Sequence, residues 1–363
     1  MSANRHLMVV AAGTGGHVMP GLAVAKELAA RGWTVSWVGT EAGMERGLVE
    51  KQGIAFDALD FSGLRGKGLK TALFGGFKLL GAIAKSRRLI QARRPSVMFT
   101  TGGYVAVPAG LAASTRGLPL VLMNCDAAPL MSNKLLQPLA SGVMLGFDGE
   151  AAVAAGDKGV VSGNPVRREI VALPEPAQRY AGRSGPLKLL VFGGSLGAKV
   201  LNETLPAAIG RLPAPARPQV VHQCGTSAVE SVRAAYAAAG VEAEVLPFID
   251  DMAARYAECD LVIARAGATT VSELAAAGVA AVLVPLVVKT TSHQRGNAEF
   301  MAGHGAAIHL PQTELDAQRL ADLLAGLTRP QLQLMAERAR AIGKPQAAKV
   351  VADAIEHITK ETA

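Results

Sequence analysis

Cysteines and long apolar runs are both scarce in this chain. Its 363 residues include three cysteines, Cys125, Cys224 and Cys259, and no two of them stand in C-x-x-C spacing. Scattered cysteines exclude a disulfide framework and argue against a zinc site. No apolar run reaches the ~18 residues of a membrane span, and too few apolar residues precede the first glycines for a secretory signal. We therefore expect a cytoplasmic protein with neither a signal peptide nor a transmembrane helix.

Two common nucleotide-binding motifs are also missing. The P-loop pattern G-x-x-x-x-G-K-[ST] does not occur, and residues 13–18 fail the dinucleotide pattern G-x-G-x-x-G because they end in Val18. Glu41 follows the second predicted strand, roughly where a ribose-binding acid would stand, but acids after strands are common. No recognised nucleic-acid module is present, so nucleic acid is not an expected partner.

The first glycine loop is the most informative feature that the chain does have. Residues 7–12 read as a buried strand, residues 13–16 as a glycine-rich turn, and residues 21–28 as a helix. Such a turn lets a ligand approach the backbone and the helix N-terminus closely. His17 stands where the turn enters the helix, and a helix N-terminus disfavours the imidazolium form. His17 is therefore our first candidate for a general base, and the alternative is a histidine that only caps the turn.

The strand, glycine loop and helix recur in a second half of the chain. Residues 187–199 and 260–274 repeat the arrangement after a junction at residues 163–165. We predict an α/β fold with two doubly wound parallel sheets facing a cleft. The domains are predicted at residues 1–164 and 165–345. Residues 346–363, which follow a break at Pro345, are predicted to pack back on the first domain.

The net charge of +8 lies mostly in the first 164 residues. Lysines and arginines alternate with apolar residues over residues 64–88, a pattern typical of an amphipathic segment on an anionic membrane. A packed helix with a solvated basic face gives the same pattern and is favoured on pattern alone.

The ordered set of glycine-rich motifs resembles the MurG family of bacterial glycosyltransferases over nearly the full length. The motifs lie at residues 13–20, 63–68, 102–104, 163–167, 193–197, 248–252, 267–273 and 293–298. The resemblance implies a GT-B fold, with an N-terminal acceptor domain and a C-terminal domain for UDP-N-acetylglucosamine (UDP-GlcNAc). It implies inverting transfer of GlcNAc to the 4-hydroxyl of the muramoyl sugar in undecaprenyl-pyrophosphoryl-MurNAc-pentapeptide (lipid I), which gives lipid II for peptidoglycan.

The same resemblance implies a peripheral enzyme on the cytoplasmic face of the inner membrane, with other cell-wall enzymes as partners. It implies no cofactor and no metal, and the sequence agrees in having no Asp-x-Asp motif that would hold a cation on a diphosphate. Without a metal, helix N-termini after glycine loops would stabilise the leaving UDP.

The resemblance also assigns site residues. His17 and Asp126 are expected to be catalytic, Glu273 to bind the ribose hydroxyls, and Gln294 to bind the donor sugar. Arg167 and Arg265 are candidates for diphosphate contacts. The full donor-binding set is Thr14, Gly15, Gly16, Asp126, Arg167, Ser195, Ile249, Ala268, Thr269, Thr270, Val271, Ser272, Glu273 and Gln294. The acceptor side is expected to comprise Gly103, Tyr104, Asn124 and Asn133.

The chain departs from the family where a His-Glu-Gln-Asn motif is usual. It has Met123, Asn124, Cys125 and Asp126 instead, so acid and amide have exchanged places. Residues two apart in a strand face the same side, and we expect Asn124 and Asp126 both to face the cleft, with Asp126 assisting His17. Two alternatives remain open: a UDP-GlcNAc 2-epimerase, and a binding protein of the cell-wall machinery without turnover.

Overall fold

The structure, a computed structural model, describes residues 5–13, 15–61, 69–194, 196–286 and 293–362, and for 69–74 the backbone alone. It divides into two compact units. Unit 1 comprises Met1–Val166 with Lys344–Ala363, and unit 2 comprises Arg167–Gly343. The chain therefore leaves unit 1 once and returns to it for its last helix.

The centre of unit 1 is a parallel sheet. Its strands are β1 (His6–Ala11), β2 (Thr34–Gly39), β3 (Ala55–Ala58), β4 (Val97–Gly102), β5 (Leu120–Asn124), β6 (Gly142–Leu145) and β7 (Gly159–Val161). They are hydrogen-bonded in the order β3-β2-β1-β4-β5-β6-β7. Every residue of β1, β4 and β5 is buried. This explains their continuous apolar runs, because a parallel sheet is covered by helices on both faces.

Helices cover this sheet between successive strands. They are α1 (Gly15–Ala30), α2 (Glu45–Glu50), α3 (Leu69–Arg93), α4 (Ala106–Ser114), α5 (Met131–Leu136) and α6 (Glu150–Ala155). The alanine-rich α4 packs against both α3 and α5. Side chains of these three helices share one core with Met8 and Val10 of β1, so α3, α4 and α5 lie on the same face of the sheet.

Unit 2 repeats the arrangement with six parallel strands. They are β8 (Lys188–Phe192), β9 (Gln219–Gln223), β10 (Ala243–Leu246), β11 (Leu261–Ala264), β12 (Ala281–Leu283) and β13 (Ile308–His309). Their order in the sheet is β10-β9-β8-β11-β12-β13. In both sheets the strand order runs outward in two directions from the first strand of the unit. The predicted pair of doubly wound parallel sheets is therefore confirmed.

The helices of unit 2 flank its sheet. They are α7 (Arg168–Val171), α8 (Pro176–Tyr180), α9 (Lys199–Gly210), α10 (Val229–Ala238), α11 (Met252–Glu258), α12 (Ala268–Ala277), α13 (His293–Gly303), α14 (Ala317–Ala325) and α15 (Arg329–Ile342). Single 3-10 turns cover Gln137–Leu139 and Gly156–Lys158 in unit 1, and Ala214–Ala216, Thr226–Ala228 and Gln312–Glu314 in unit 2. Among the helices of the described residues, none is long and apolar enough to cross a bilayer.

The last helix, α16 (Ala347–Glu361), belongs to unit 1 and packs against α1. Arg31, just after α1, pairs with Asp353 at 2.6 Å and with Glu356 at 3.1 Å. The indole Nε1 of Trp33 donates to Glu356 at 3.0 Å. These contacts join α16 to the turn between α1 and β2.

Candidate functional site

The end of β1 places His17 against the end of the neighbouring strand β4. Helix α1 begins at Gly15, so His17 is its third residue. The ring Nδ1 lies 2.8 Å from the carbonyl oxygen of Thr101, and the Thr101 hydroxyl donates to the His17 carbonyl oxygen at 2.6 Å. A carbonyl oxygen only accepts hydrogen bonds. The proton of the neutral ring therefore sits on Nδ1, and Nε2 is the basic nitrogen.

An irregularity in the sheet supplies the partner of His17. Val10 pairs with Thr100 in the register of β1 and β4, but Ala11 pairs with Gly102, so Thr101 is an extra residue in β4. Bulges of this kind re-aim groups beside functional sites. Here the extra residue is Thr101, and its carbonyl oxygen accepts the hydrogen bond from the His17 imidazole ring.

Two glycines at the end of β4 let the loop that follows this strand approach the loop that follows β1. Gly102 and Gly103 have φ values of +107° and +90°, a region that favours glycine. A β-carbon at Gly102 would lie 3.1 Å from Cε1 of His17, and one at Gly103 would overlap the carbonyl oxygen of Ala12. The next residue, Tyr104, is 43% exposed. Gly103 and Tyr104, both predicted on the acceptor side, therefore lie beside the histidine.

The loop after β5 differs from the prediction. β5 ends at Asn124, which is 2% exposed. Its Nδ2 donates to the carbonyl oxygens of Asp126 at 2.6 Å and Ala128 at 3.1 Å, and its Oδ1 accepts from the Leu130 amide at 2.8 Å. The expectation that Asn124 and Asp126 face one side as in a strand is wrong, because the strand has ended and the Asn124 amide bonds its own loop.

Asn133 also bonds the residues at the end of β5 and so fixes the loop that follows this strand. It is 3% exposed, and its Nδ2 donates to Oδ1 of Asn124 at 3.2 Å. Asn164 donates to the Cys125 carbonyl oxygen at 2.8 Å from the other side of the loop. Burial raises the pKa of the Cys125 thiol, with a smaller contribution from the Asp126 charge, so Cys125 is not a thiolate nucleophile. Among residues 123–126, Asp126 is half-buried and the other three are buried.

Unit 2 gathers its predicted donor-site residues mainly in one helix. Residues 1 to 6 of α12 are Ala268, Thr269, Thr270, Val271, Ser272 and Glu273. The N-cap is Gly267, so the threonines and the serine of this run lie inside the helix and do not cap it. The Oγ1 atom of Thr269 is buried and has no hydrogen-bond partner among the described residues. The first-turn N–H groups of an α-helix have no partner within the helix and favour an anion.

Glu273 is a buried acid that two side chains of unit 2 contact. Glu273 lies in the second turn of α12. Attraction to the helix N-terminus is confined to the first turn and therefore does not explain why an acid stands at this position. Arg167 donates to its Oε1 through Nε and Nη2, both at 2.9 Å, and the Tyr256 hydroxyl donates to Oε2 at 3.4 Å. Burial raises the pKa of Glu273, while Arg167 and the hydrogen bonds oppose the rise. Arg167, predicted near the diphosphate, is thus paired with the predicted ribose-binding acid.

Two amide side chains of α13 bond backbone groups outside the helix. Oε1 of Gln294 accepts a hydrogen bond from the Leu286 amide at 2.8 Å. The buried Asn297 donates to the Ala266 carbonyl oxygen at 3.0 Å, just before α12. The predicted sugar-binding glutamine and the α12 turn therefore belong to adjoining backbone segments.

Two further predicted residues lie at strand ends of unit 2. The Arg265 side chain donates to the carbonyl oxygens of Val284 at 3.1 Å and Pro285 at 3.2 Å, and burial lowers its pKa. Ile249 follows β10 and is 7% exposed, with its neighbour Phe248 53% exposed. The diphosphate role of Arg265 and the donor-binding role of Ile249 stay predictions.

Several predicted positions lie outside the residues that the structure describes. Thr14, Ser195 and the basic residues 64–68 are among them, while Gly15 and Gly16 are the first two residues of α1. Within the described ranges, His, Cys, Asp and Glu side chains do not gather in threes as metal ligands would.

The sequence reasoning missed Thr101, Tyr256 and Glu45. The first two contact His17 and Glu273 across long sequence separations, which no local pattern reveals. Glu45 begins a helix shortly after two glycines, one at the end of β2 and one in the loop that follows, and that spacing was the one available signal.

Comparison with known proteins covers both units. Residues 7–145 match the glycosyltransferase family 28 N-terminal domain, and residues 188–358 match the glycosyltransferase family 28 C-terminal domain. The UDP-N-acetylglucosamine–N-acetylmuramyl-(pentapeptide) pyrophosphoryl-undecaprenol N-acetylglucosamine transferase of Methylibium petroleiphilum is 59% identical over 362 residues, 98% of each chain. The enzyme of that name from Chromobacterium violaceum is 59% identical over 361 residues, 99% of this chain and 100% of the relative.

A solved structure agrees with these matches. The crystal structure of Acinetobacter baumannii MurG superposes with a TM-score of 0.83 at 40% identity, covering 97% of this chain and 99% of that one. The predicted GT-B fold class is thereby confirmed. With both domain models matched and relatives of this identity over the whole length, the chain belongs to the MurG family of glycosyltransferases.

Proposed function

We propose that this chain transfers GlcNAc from UDP-GlcNAc to the 4-hydroxyl of the MurNAc sugar of lipid I, forming lipid II with inversion at the anomeric carbon. The observation that carries the chemistry is the Nδ1 contact of His17 with the Thr101 carbonyl oxygen. It fixes the tautomer whose Nε2 can accept a proton. A base at this position is what activation of a sugar hydroxyl requires.

The reaction needs one displacement. The acceptor O4 attacks the anomeric carbon, the bond from that carbon to the UDP oxygen breaks, and the hydroxyl proton passes to Nε2 of His17. Negative charge then develops on the diphosphate. The first-turn N–H groups of α12 and the unpartnered Thr269 hydroxyl supply donors for that charge without a metal ion.

Donor recognition is assigned to unit 2. Glu273 offers two carboxylate oxygens, which suit the two ribose hydroxyls. Arg167 and Tyr256 fix its orientation in advance, and a pre-oriented acceptor costs less entropy on binding. Gln294 would bind the sugar hydroxyls beside it. Unit 1, with His17, Gly103 and Tyr104, would bind the acceptor.

The direct test of this function is transfer of labelled GlcNAc from UDP-GlcNAc to a lipid I analogue in the presence of EDTA. We expect one GlcNAc to be added per acceptor and UDP to be released. Conversion of UDP-GlcNAc to its 2-epimer without an acceptor would favour the epimerase alternative. Donor binding without turnover would favour the binding-protein alternative.

Asp126 should assist His17 in this reaction. We expect Asp126→Ala to lower kcat about tenfold, because the Asp126 charge would stabilise the His17 imidazolium that forms on proton transfer by about 1.4 kcal/mol, with Asp126→Asn giving a similar loss because the charge is removed in both. Asp148→Ala, an exposed aspartate after β6 of the same unit, serves as the control. Full turnover of Asp126→Ala would remove Asp126 from the mechanism.

An anionic membrane surface is the proposed location of the acceptor. Phe77 and Leu80 on α3 are 70% and 63% exposed, and Met131 and Leu135 on α5 are 73% and 59% exposed. We call these four side chains the apolar patch. Both helices lie on one face of unit 1, and exposed lysines, Lys78 and Lys134 among them, are interleaved with the patch. An apolar surface ringed by cations is typical of proteins that rest on anionic lipid.

The double substitution Phe77→Asp with Leu80→Asp should weaken binding to phosphatidylglycerol vesicles about 100-fold, because each side chain contributes ~1.5 kcal/mol or more on burial. The kcat on a soluble acceptor analogue should stay unchanged. Val153→Asp, on α6, is the matched control, since Val153 is 85% exposed. Equal vesicle binding by the double variant and the control would contradict the membrane role of the patch.

A further inference from the structure

Glu45 is a fully buried acid beside the glycine loop that carries His17. It is the first residue of α2 and is 0% exposed. None of the ion pairs between described residues includes Glu45. Burying a carboxylate costs several kcal/mol unless its oxygens are hydrogen-bonded, so the contacts of this side chain need an explanation.

Three donors face the Glu45 carboxylate. Oε1 accepts from the backbone N–H of Thr40 at 2.8 Å and from the Thr40 hydroxyl at 2.6 Å. Oε2 accepts from the backbone N–H of Gly13 at 3.4 Å. Gly13 has a φ of +107° and opens the glycine loop. One carboxylate thus joins the loop after β2 to the loop after β1.

The chain makes room for this side chain with two glycines. A β-carbon at Gly39 would lie 2.9 Å from Cγ of Glu45, and one at Gly43 would overlap its carboxylate. Gly43 therefore leaves space that the Glu45 carboxylate fills, and Gly39 leaves space that Glu45 shares with the Phe56 ring. The arrangement is a built site for a carboxylate, and it is separate from the solvated pair of Glu50 and Arg46 on the same helix.

The end of β1 is held from other directions as well. The indole Nε1 of Trp37 donates to the Ala11 carbonyl oxygen at 2.9 Å, and Gly103 closes against Ala12. Neither contact reaches the amide of Gly13. Glu45 is the side chain that bonds this amide, two positions before the first residue of α1.

We infer that Glu45 is a positioning residue, which fixes the backbone amide of Gly13 and through it the start of α1 and the placement of His17. The role in turnover rests on the proposed function. Glu45 does not touch the reacting atoms, and its effect passes through the loop backbone. A loop held by a hydrogen bond to a charged acceptor is pre-organised before substrate arrives.

The test is Glu45→Gln, which keeps the size but replaces one acceptor oxygen by an NH2 group. The two Thr40 donors retain the remaining oxygen, so the Gly13 N–H loses its acceptor. We expect amide hydrogen exchange in residues 11–19 to become about tenfold faster, and kcat to fall about 10- to 100-fold. The KM for UDP-GlcNAc should change less than kcat, because most of the predicted donor contacts, Glu273 and Gln294 among them, lie in unit 2.

Glu50→Gln, with its exposed partner Arg46, is the matched control on the same helix. Thr40→Val, which removes one donor to Glu45, gives a second variant if Glu45→Gln does not fold. Wild-type exchange at residues 11–19 with kcat within twofold of wild type would overturn the inference. Faster exchange spread evenly over unit 1 would also overturn it, since that result means lost stability alone.

The hydrogen-exchange measurement and the turnover measurement test this inference and the proposed function separately. Hydrogen exchange needs no substrate, so it decides the role of Glu45 in the loop even if the wild-type chain transfers no GlcNAc. In that case the proposed function fails, and the exchange result stands by itself.

Discussion

His17→Ala is expected to lower kcat for GlcNAc transfer by about 10²–10⁴-fold, the usual contribution of a general base. The Nδ1 contact with Thr101 makes Nε2 the proton acceptor, and alanine offers none. The affinity for UDP-GlcNAc should stay within about threefold of wild type, because the donor is held mainly by unit 2. Single-turnover transfer and calorimetric donor binding measure the two quantities separately.

Two further variants sharpen this prediction. His17→Asn retains an N–H group that can donate to the Thr101 carbonyl oxygen but has no basic nitrogen, so it should be as inactive as His17→Ala. His304→Ala is the matched control: that exposed histidine also has Nδ1 at 2.8 Å from a backbone carbonyl oxygen, that of Phe300. If His17→Asn kept most of the activity, His17 would only hold the turn together.

Glu273→Gln is expected to raise the KM for UDP-GlcNAc about 10- to 100-fold with a smaller change in kcat. The amide has one acceptor oxygen where the carboxylate has two, and charged acceptors form the stronger hydrogen bonds. Arg167 also loses its charged partner at 2.9 Å. Isothermal calorimetry with UDP-GlcNAc measures the loss, and a thermal melt shows how much stability is lost with it.

The acidity of Glu273 adds a pH test. Burial raises its pKa, so the carboxylate takes up a proton at a higher pH than an ordinary glutamate does. Donor affinity of the wild type should therefore fall as the pH is lowered toward the carboxyl range, and the Glu273→Gln variant should lack that step. Glu244→Gln, which breaks the more exposed pair with Arg255, is the control. Unchanged donor affinity in Glu273→Gln would move the ribose site elsewhere.

Much of the fold was predictable because the first strand of each unit is a continuous apolar run that is soon followed by glycines. The apolar run over residues 7–12 and β1 (His6–Ala11) differ by one residue at each end, and residues 187–192 became β8 (Lys188–Phe192). Buried parallel strands read as continuous apolar runs, and the glycine that follows marks the turn to a helix. The break at Pro345 likewise separates α15 from α16.

The site was less predictable wherever side chains leave regular structure. Asn124 and Asp126 were expected on one face because a strand was assumed to continue, whereas the amide of Asn124 bonds the loop itself. The pair of Arg167 and Glu273 joins positions far apart in sequence, so each could be predicted as a ligand contact but not as a partner of the other. Glu45 carried no recognisable motif.

The linkage of the product tests the central claim most directly. The purified chain is given UDP-GlcNAc, whose GlcNAc is α-linked, and a lipid I analogue, and the product is analysed by proton NMR. We predict a single new sugar, β-linked to O4 of MurNAc, as one displacement with His17 as base requires. An α-linked product, attachment at another hydroxyl, or release of free GlcNAc without acceptor modification would contradict the proposed reaction.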